Sequence, residues 1–453
     1  MTVKVRFAPS PTGLLHIGNA RAAIITWLFA KNQGGKFLLR IDDTDTERSK
    51  VEYIQAIQDD LTWLGVTWDD MAYQSKRTDR YNTVIQKLKD NGRLYPCYET
   101  PTELDLKRKS LLSRGLPPIY DRGALNLTDD QKKAFEAEGR MPHWRFRMNH
   151  DPIEWNDLVR GEVKFHGKDI SDPVLIREDG SPLYHICSVI DDIDFEMTHV
   201  IRGEDHVSNT AFHIQMFEAF GGTVPVFAHL PLLTDPQGGK LSKRLGSLSL
   251  QEYRTQEGIE PMAVISLLAR LGTADPIEAF SSPQPIIDSF DFSKFSKGAP
   301  KCDVEELTRL NAKIVQGMSF DQVQERLVSI GMKKGDITAD YWEAVRQNMT
   351  LLRDLKDWWT VTNGPVKTSI AAEDKDYIAL AYSVLPAAPW DEQTWSQWIA
   401  AIKGKTDRKG KALFMPLRQA LTGMDHGPEL DKMLPLIGPE KVQERLSLIA
   451  KAA

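Results

Sequence analysis

Val3-Lys4-Val5-Arg6-Phe7-Ala8-Pro9-Ser10-Pro11-Thr12-Gly13-Leu14-Leu15-His16-Ile17-Gly18-Asn19 is the stretch on which the fold turns. Residues 3–8 (VKVRFA) read as a buried strand, and Pro9–Gly13 reads as a turn, because proline and glycine punctuate regular structure. From about Ile17 onward, Ala20, Ala23, Ile24, Trp27 and Leu28 recur at helical spacing, and Gly34-Gly35 ends that helix. Lys36–Ile41 (KFLLRI) reads as the next strand. A strand, helix, strand unit of this kind builds a parallel sheet. Ligands in such sheets sit at the carboxyl ends of the strands, and the turn after VKVRFA is one of those ends.

Outward from this unit, residues 51–64 and 78–91 read as further helices on the outside of the sheet. Between about 95 and 185 the chain changes to short segments rich in proline and charge, including Leu116-Pro117-Pro118-Ile119 and an amphipathic strand from His143 to Met148. That stretch reads as an insertion. The alternation resumes with Leu183–Ile190, then Met197–Arg202, a helix through Phe212, Met216 and Phe220, and Val226–Leu233. The fold class expected is α/β: a doubly wound parallel sheet split by an inserted subdomain. Pro276, Pro283, Pro285 and Pro300 mark a junction, and from Asp303 the chain reads as helices only, with Leu307, Leu310, Ile314 and Val315 on one and Val345, Met349, Leu352 and Leu355 on another. A helical last third without a catalytic motif reads as a binding module.

The 453 residues are too many for one hydrophobic core and suggest roughly three domains. With 41% hydrophobic and 26% charged residues, no signal-like start and no apolar run able to span a bilayer, a cytoplasmic protein with no membrane contact is expected. Cys97, Cys187 and Cys302 are far apart and outside any CxxC spacing, so they read as free thiols, with neither a disulfide framework nor a zinc site. A net charge of −6 argues mildly against a nucleic-acid partner. Local charge argues the other way: Lys403–Lys411 carries five basic side chains against one acidic, and Lys107, Arg108, Lys109 and Arg114 form a second basic stretch. Such runs serve as solvated faces more often than as RNA contacts.

The chemistry lies in two signatures. His16-Ile17-Gly18-Asn19 puts an imidazole and a glycine at a helix start, where free backbone N–H groups and the helix dipole favour phosphate. Lys240-Leu241-Ser242-Lys243-Arg244, preceded by Gly238-Gly239, supplies ammonium groups and a hydroxyl on a loop. Attack of a carboxylate on the α-phosphate of ATP builds negative charge on phosphorus and on the departing pyrophosphate, so fixed positive charge and donors are needed there. His16, Lys240, Ser242 and Lys243 are the candidate catalytic groups, with Gly18 letting the nucleotide approach the backbone. Each also has a plain structural reading: His16 as a helix cap or packed ring, and Lys240–Arg244 as a surface loop.

Residues 6–48, from Arg6-Phe7-Ala8-Pro9-Ser10-Pro11-Thr12-Gly13 through Leu39-Arg40-Ile41-Asp42-Asp43-Thr44-Asp45-Thr46-Glu47-Arg48, resemble the opening of bacterial glutamyl-tRNA synthetases, which are class I aminoacyl-tRNA synthetases. The likeness continues through Tyr184-His185, Val189–Asp192, Thr198–Asp205, His229-Leu230-Pro231 and the lysine segment, and returns in Gly410–Gly423. It implies a Rossmann-like catalytic fold in two halves, 1–95 and 186–240, around a connective, acceptor-binding subdomain, 96–185. A lysine-loop and stem-contact region, 241–302, and two helical anticodon-binding subdomains, 303–373 and 374–453, would follow.

The resemblance implies roles as well. Arg6 and Arg202 would read the glutamate side-chain carboxylate, for which the arginine fork suits better than lysine. Ala8, Ser10, Tyr184 and Ser188 would complete the glutamate pocket, and Asp42 would meet the substrate ammonium. Pro9, Thr12, Gly13, His16, Gly18, Asn19 and Lys243 would surround ATP. Asp42 stands where glutamate is commoner in that family, Ser188 where asparagine is common, and Asn19 in place of the superfamily's second histidine. The zinc knuckle of some members is reduced to Cys97-Tyr98-Glu99-Thr100, so zinc is not expected.

ATP with Mg²⁺, L-glutamate and tRNA(Glu), with tRNA(Gln) as a further acceptor, are the implied substrates of a monomeric enzyme. Arg346, Arg353 and Lys356 are candidate RNA contacts in the stretch 345–360, with an amphipathic helix surface as the alternative. Against this stand a nucleotidyltransferase releasing a small adenylate, a truncated tRNA-base-modifying relative, a glutaminyl-tRNA synthetase and a non-catalytic RNA-binding paralogue. The helical last third argues against the first three, and the presence of His16, Arg6, Arg202, Lys240 and Lys243 argues against the last.

Overall fold

The computed structural model describes residues 2–239, 249–368, 370–391 and 393–451. Lys240, Leu241, Ser242, Lys243 and Arg244 lie outside the described residues. Two compact units are present: 1–257 with 264–306, and 258–263 with 307–453. Among the described residues no helix is long and apolar enough to cross a membrane.

In the first unit, strands Lys4–Phe7, Lys36–Ile41 and Asp70–Tyr73 form a parallel sheet in that order, with Lys4 opposite Lys36 and Leu38 opposite Asp70. Strands His199–Gly203 and Val226–Leu230 form a second parallel pair. Thr198 joins the two sheets: its N–H donates to the Lys4 carbonyl at 2.9 Å, and its Oγ1 accepts from the Lys4 N–H at 2.9 Å. On either side of Lys4–Phe7 the chain therefore builds the sheet outward in opposite directions. This is the place where an open α/β sheet leaves a crevice at its carboxyl edge.

Helix Ile17–Asn32 covers this sheet and is buried nearly all round. Its far side meets the segment after residue 284, where Phe29 packs 5.1 Å from Phe292 and 6.2 Å from Phe290, ring centre to ring centre. The residues expected on its apolar stripe, Ala20, Ala23, Ile24, Trp27 and Leu28, are buried together with Ile25 and Phe29.

The segment 184–190 is helical, within helix Tyr184–Asp194, and Leu183 before it is extended.

Strands Leu94–Cys97, His143–Phe146 and Val174–Ile176 form an antiparallel sheet, and Pro152–Asp157 pairs with Gly161–His166 as a hairpin. The strand expected over 143–148 ends at Phe146. A register irregularity at Trp144/Arg145 turns the edge, and the Met148 N–H is taken by the Asp172 carboxylate at 2.9 Å. The hairpin attaches to strand Val226–Leu230 through Leu158 N–H to Phe227 O, 2.9 Å.

The second unit is helical among its described residues, with Trp342, Leu355, Ile378, Trp398, Leu413 and Leu446 in one core. Val345, Met349, Leu352 and Leu355 all enter that core but do not share a helix. Helix Ala339–Val345 ends, a short 3-10 turn Arg346–Asn348 follows, and helix Asp354–Asn363 starts afresh. The break is held by the Asp354 carboxylate, which accepts the N–H groups of Thr350 and Leu351 at 2.9 and 2.8 Å. The continuous helix surface expected over 345–360 is therefore absent, and Arg346 is engaged by the Gln316 carbonyl at 3.0 Å and Glu343 at 2.8 Å.

Candidate active site

A cavity of about 610 Å³ opens at the carboxyl edge of strands Lys4–Phe7 and His199–Gly203. Arg6, Ala8, Pro9, Ser10, Thr12, Gly13, His16, Asn19, Tyr184 and Arg202 all line it, with Arg40 and His206 in addition. Gly18, Asp42 and Ser188 do not. Ten of the residues singled out in the sequence thus converge on one space, although they come from three separate segments of chain.

His16 caps helix Ile17–Asn32. Its Nδ1 accepts from the N–H of Gly18 at 3.1 Å and of Asn19 at 3.4 Å, while Asn19 Oδ1 accepts from the His16 N–H at 3.5 Å. Burial lowers its pKa, so the neutral ring is favoured, and with Nδ1 accepting, the proton sits on Nε2. The cap and a phosphate-donating role are compatible, because they use opposite nitrogens. Gly18 has a local reason to be glycine: a Cβ there would stand 3.1 Å from the His16 ring. Asn19 likewise has a structural task, as the reciprocal half of the capping box.

Beneath the cavity floor lies a buried ionic cluster. Arg6 grips Asp192 through Nε at 2.9 Å and a terminal nitrogen at 3.2 Å. Arg40 donates to Asp192 at 2.8 Å and to both oxygens of Asp42 at 2.7 and 3.1 Å. Ser188 Oγ accepts from Arg40 at 3.1 Å. Burial pushes the Asp42 carboxyl up to about 6 despite Arg40, whereas the two guanidiniums outweigh burial at Asp192 and hold it below the usual carboxylate range. Asp42 and Ser188, expected at the substrate, are thus both partners of Arg40.

Arg202 is different. It is 8% exposed, and among the described residues no carboxylate reaches it. Its Nε donates to His229 Nε2 at 3.3 Å and one terminal nitrogen to Thr210 Oγ1 at 2.6 Å. The other terminal nitrogen stands 3.3 Å from His213 Nδ1. A guanidinium carries five N–H donors. Three are directed at these uncharged acceptors, and Tyr184, on the same cavity wall, bonds the guanidinium as well. A buried cation without a counter-ion favours an anionic ligand.

Residues 2–309 match the family model described as tRNA synthetases class I (E and Q), catalytic domain. The chain belongs to that family. Residues 321–450 match a second model, described as an anticodon binding domain. The chain is 56% identical over 450 residues to a glutamate–tRNA ligase of Azospirillum brasilense, covering 99% of each protein. It is 52% identical over 444 residues to glutamate–tRNA ligase 1 of Maricaulis maris, covering 98% of this chain and 99% of that one. Among solved structures, a glutamate tRNA ligase from Elizabethkingia meningosepticum in complex with its amino acid superposes with a TM-score of 0.85 at 27% identity, over 100% of this chain and 99% of that one.

Within this family's fold the sequence reading overlooked several groups. Arg40 and Asp192 stand in the quoted motifs without an assigned role, although a charged residue inside an apolar strand or helix was a usable signal. Thr210, His213 and Asp157 carried none, since nothing near them in sequence marks the first two as neighbours of Arg202 or the third as the partner of His229.

Proposed function

We propose that this family member attaches L-glutamate to the 3′ end of tRNA. A carboxylate oxygen of glutamate attacks the α-phosphorus of ATP, and pyrophosphate leaves with the bond it formed to that phosphorus. The ribose hydroxyl of the tRNA end then attacks the carbonyl of the glutamyl-adenylate, giving the ester and AMP. The observation that carries this reading is Arg202, a buried guanidinium lacking a carboxylate and lining the same cavity as His16. It suits a substrate that brings its own negative charge. The full-length likeness to glutamate–tRNA ligases supports the same choice.

In this proposal Arg6 and Arg202 face the side-chain carboxylate, with Ala8, Ser10 and Tyr184 around the amino acid. Pro9, Thr12, Gly13, His16 and Asn19 surround ATP, and Lys240, Ser242 and Lys243 follow the charge on the phosphates. Asp42 and Ser188 act through Arg40. Mg²⁺ enters with ATP, held by phosphates and water. Among the described residues no group of three or more His, Cys, Asp or Glu side chains could hold a metal ion. The enzyme is taken to work as a cytoplasmic monomer on tRNA(Glu), with tRNA(Gln) as a second acceptor. Charging of separate tRNA(Glu) and tRNA(Gln) transcripts with radiolabelled glutamate tests this. Product on tRNA(Glu) supports it, and no product on either transcript overturns it.

A further inference from the structure

Arg202 is the inner end of a hydrogen-bond chain that starts in the inserted hairpin. Asp157 ends strand Pro152–Asp157, and its Oδ1 accepts three backbone N–H groups: Val159 and Arg160 at 3.0 Å each, and His229 at 3.1 Å. Its Oδ2 lies 2.5 Å from His229 Nδ1. The His229 ring and the backbone donors outweigh burial and hold the Asp157 carboxyl below the usual carboxylate range, so the proton between them sits on His229 Nδ1. His229 Nε2 is therefore a bare acceptor, and it faces Arg202 Nε at 3.3 Å and Thr210 Oγ1 at 2.8 Å.

The same logic sets the second ring. His213 Nδ1 faces an Arg202 terminal nitrogen, which can only donate, so the His213 proton sits on Nε2. That nitrogen meets His185 Nδ1 at 3.0 Å, which then accepts. Burial and the nearby guanidinium push His213 well below its ordinary pKa and His185 to about 4, so neither ring adds charge.

We propose that Asp157, His229 and His213 are positioning residues for Arg202. The two ring tautomers, set from Asp157, present only acceptors to the guanidinium and fix its plane toward the side-chain carboxylate of the amino-acid substrate. This deepens the glutamate reading and rests on it.

Asp157→Asn is the sharpest test, because asparagine keeps the Oδ1 that holds the hairpin and replaces only Oδ2 with a donor. His229 must then accept at Nδ1 and carry its proton on Nε2, setting donor against the Arg202 Nε–H, while the Thr210 hydroxyl can turn its proton to the His206 carbonyl. The expected result is a rise in the KM for glutamate of about 10- to 100-fold, the range for losing one charge-assisted hydrogen bond, with the KM for ATP within about twofold. His213→Asn, whose side-chain oxygen can stand where Nδ1 does, should retain most glutamate affinity, and His213→Leu should lose it.

An unchanged glutamate KM in Asp157→Asn, or equal rises for glutamate and ATP, overturns the proposal. Independently, ¹⁵N-histidine NMR of the wild-type enzyme without substrate should find His229 Nε2 and His213 Nδ1 unprotonated; protons on those atoms overturn it even if the variants do not fold. The ring tautomers are read without glutamate, so failure of the substrate reading, seen as absent wild-type charging, is distinguished from failure of the chain.

Discussion

Asp192→Asn isolates the ionic cluster beneath the cavity. In the wild type this carboxylate, 4% exposed, accepts three N–H groups from two guanidiniums, Arg6 at 2.9 and 3.2 Å and Arg40 at 2.8 Å. Asparagine preserves the volume and removes the charge. Arg40 retains Asp42, but Arg6 is left buried with no contacting counter-charge, and the new amide nitrogen faces guanidinium donors. Removing one partner of a buried pair costs about 3–5 kcal/mol. The pH dependence follows from Asp192 being held below the usual carboxylate range. Such a group contributes stability that is fully present above its unfolded pKa and is lost as pH falls through the folded value.

The gap between wild type and variant should therefore be flat from about pH 8 to 5 and close below about pH 4. Urea unfolding of the full chain at pH 7 and thermal unfolding across pH 3–8 measure both features. An Arg6→Met/Asp192→Leu double variant should recover much of the stability while losing glutamate binding, since it removes both charges together. A gap under about 1 kcal/mol at pH 7, or one that persists undiminished at pH 3, would refute the reasoning.

His16→Asn should leave stability within about 0.5 kcal/mol, because asparagine is a good helix N-cap, while charging falls about 100-fold or more with loss of the Nε2–H; retained charging would reduce His16 to a cap. Asp60 is fully buried, with both carboxylate oxygens lacking a hydrogen bond and Arg254 at 3.3 Å, and burial raises its pKa to about 6. A raised folded pKa means that the wild type loses stability as pH rises from about 4 to 6, so Asp60→Asn should be about 1–3 kcal/mol more stable than wild type at pH 7.5 and lose that advantage at pH 4. A destabilised variant at pH 7.5 in thermal melts would contradict this. Lys243→Ala should lower the activation rate by orders of magnitude with an unchanged circular-dichroism spectrum, because its interaction is made chiefly in the transition state. Wild-type charging by that variant would remove the lysine from the mechanism.

Much of the architecture was legible before any coordinate. The strand, turn and helix of residues 3–32 follow from local punctuation and spacing, and the helical last third from its periodicity. Where the reading of 345–360 failed, a local cap was the cause: the Asp354 carboxylate splits an otherwise continuous helical spacing.

The sequence by itself therefore determined the first strand, the turn after it and the His16 helix start, because each is written within a few turns of chain. Tertiary structure alone decided which charges are spent and which are free. Arg6 and Arg202 are both arginines near strand ends, yet Arg6 finds Asp192 across 186 positions while Arg202, among the described residues, finds uncharged partners in His229, His213, Thr210 and Tyr184. Asp42, one residue past the end of the strand that carries Arg40, is held by that arginine through both carboxylate oxygens. Pairing of buried charges depends on distances set by the packed fold, to which local periodicity is blind.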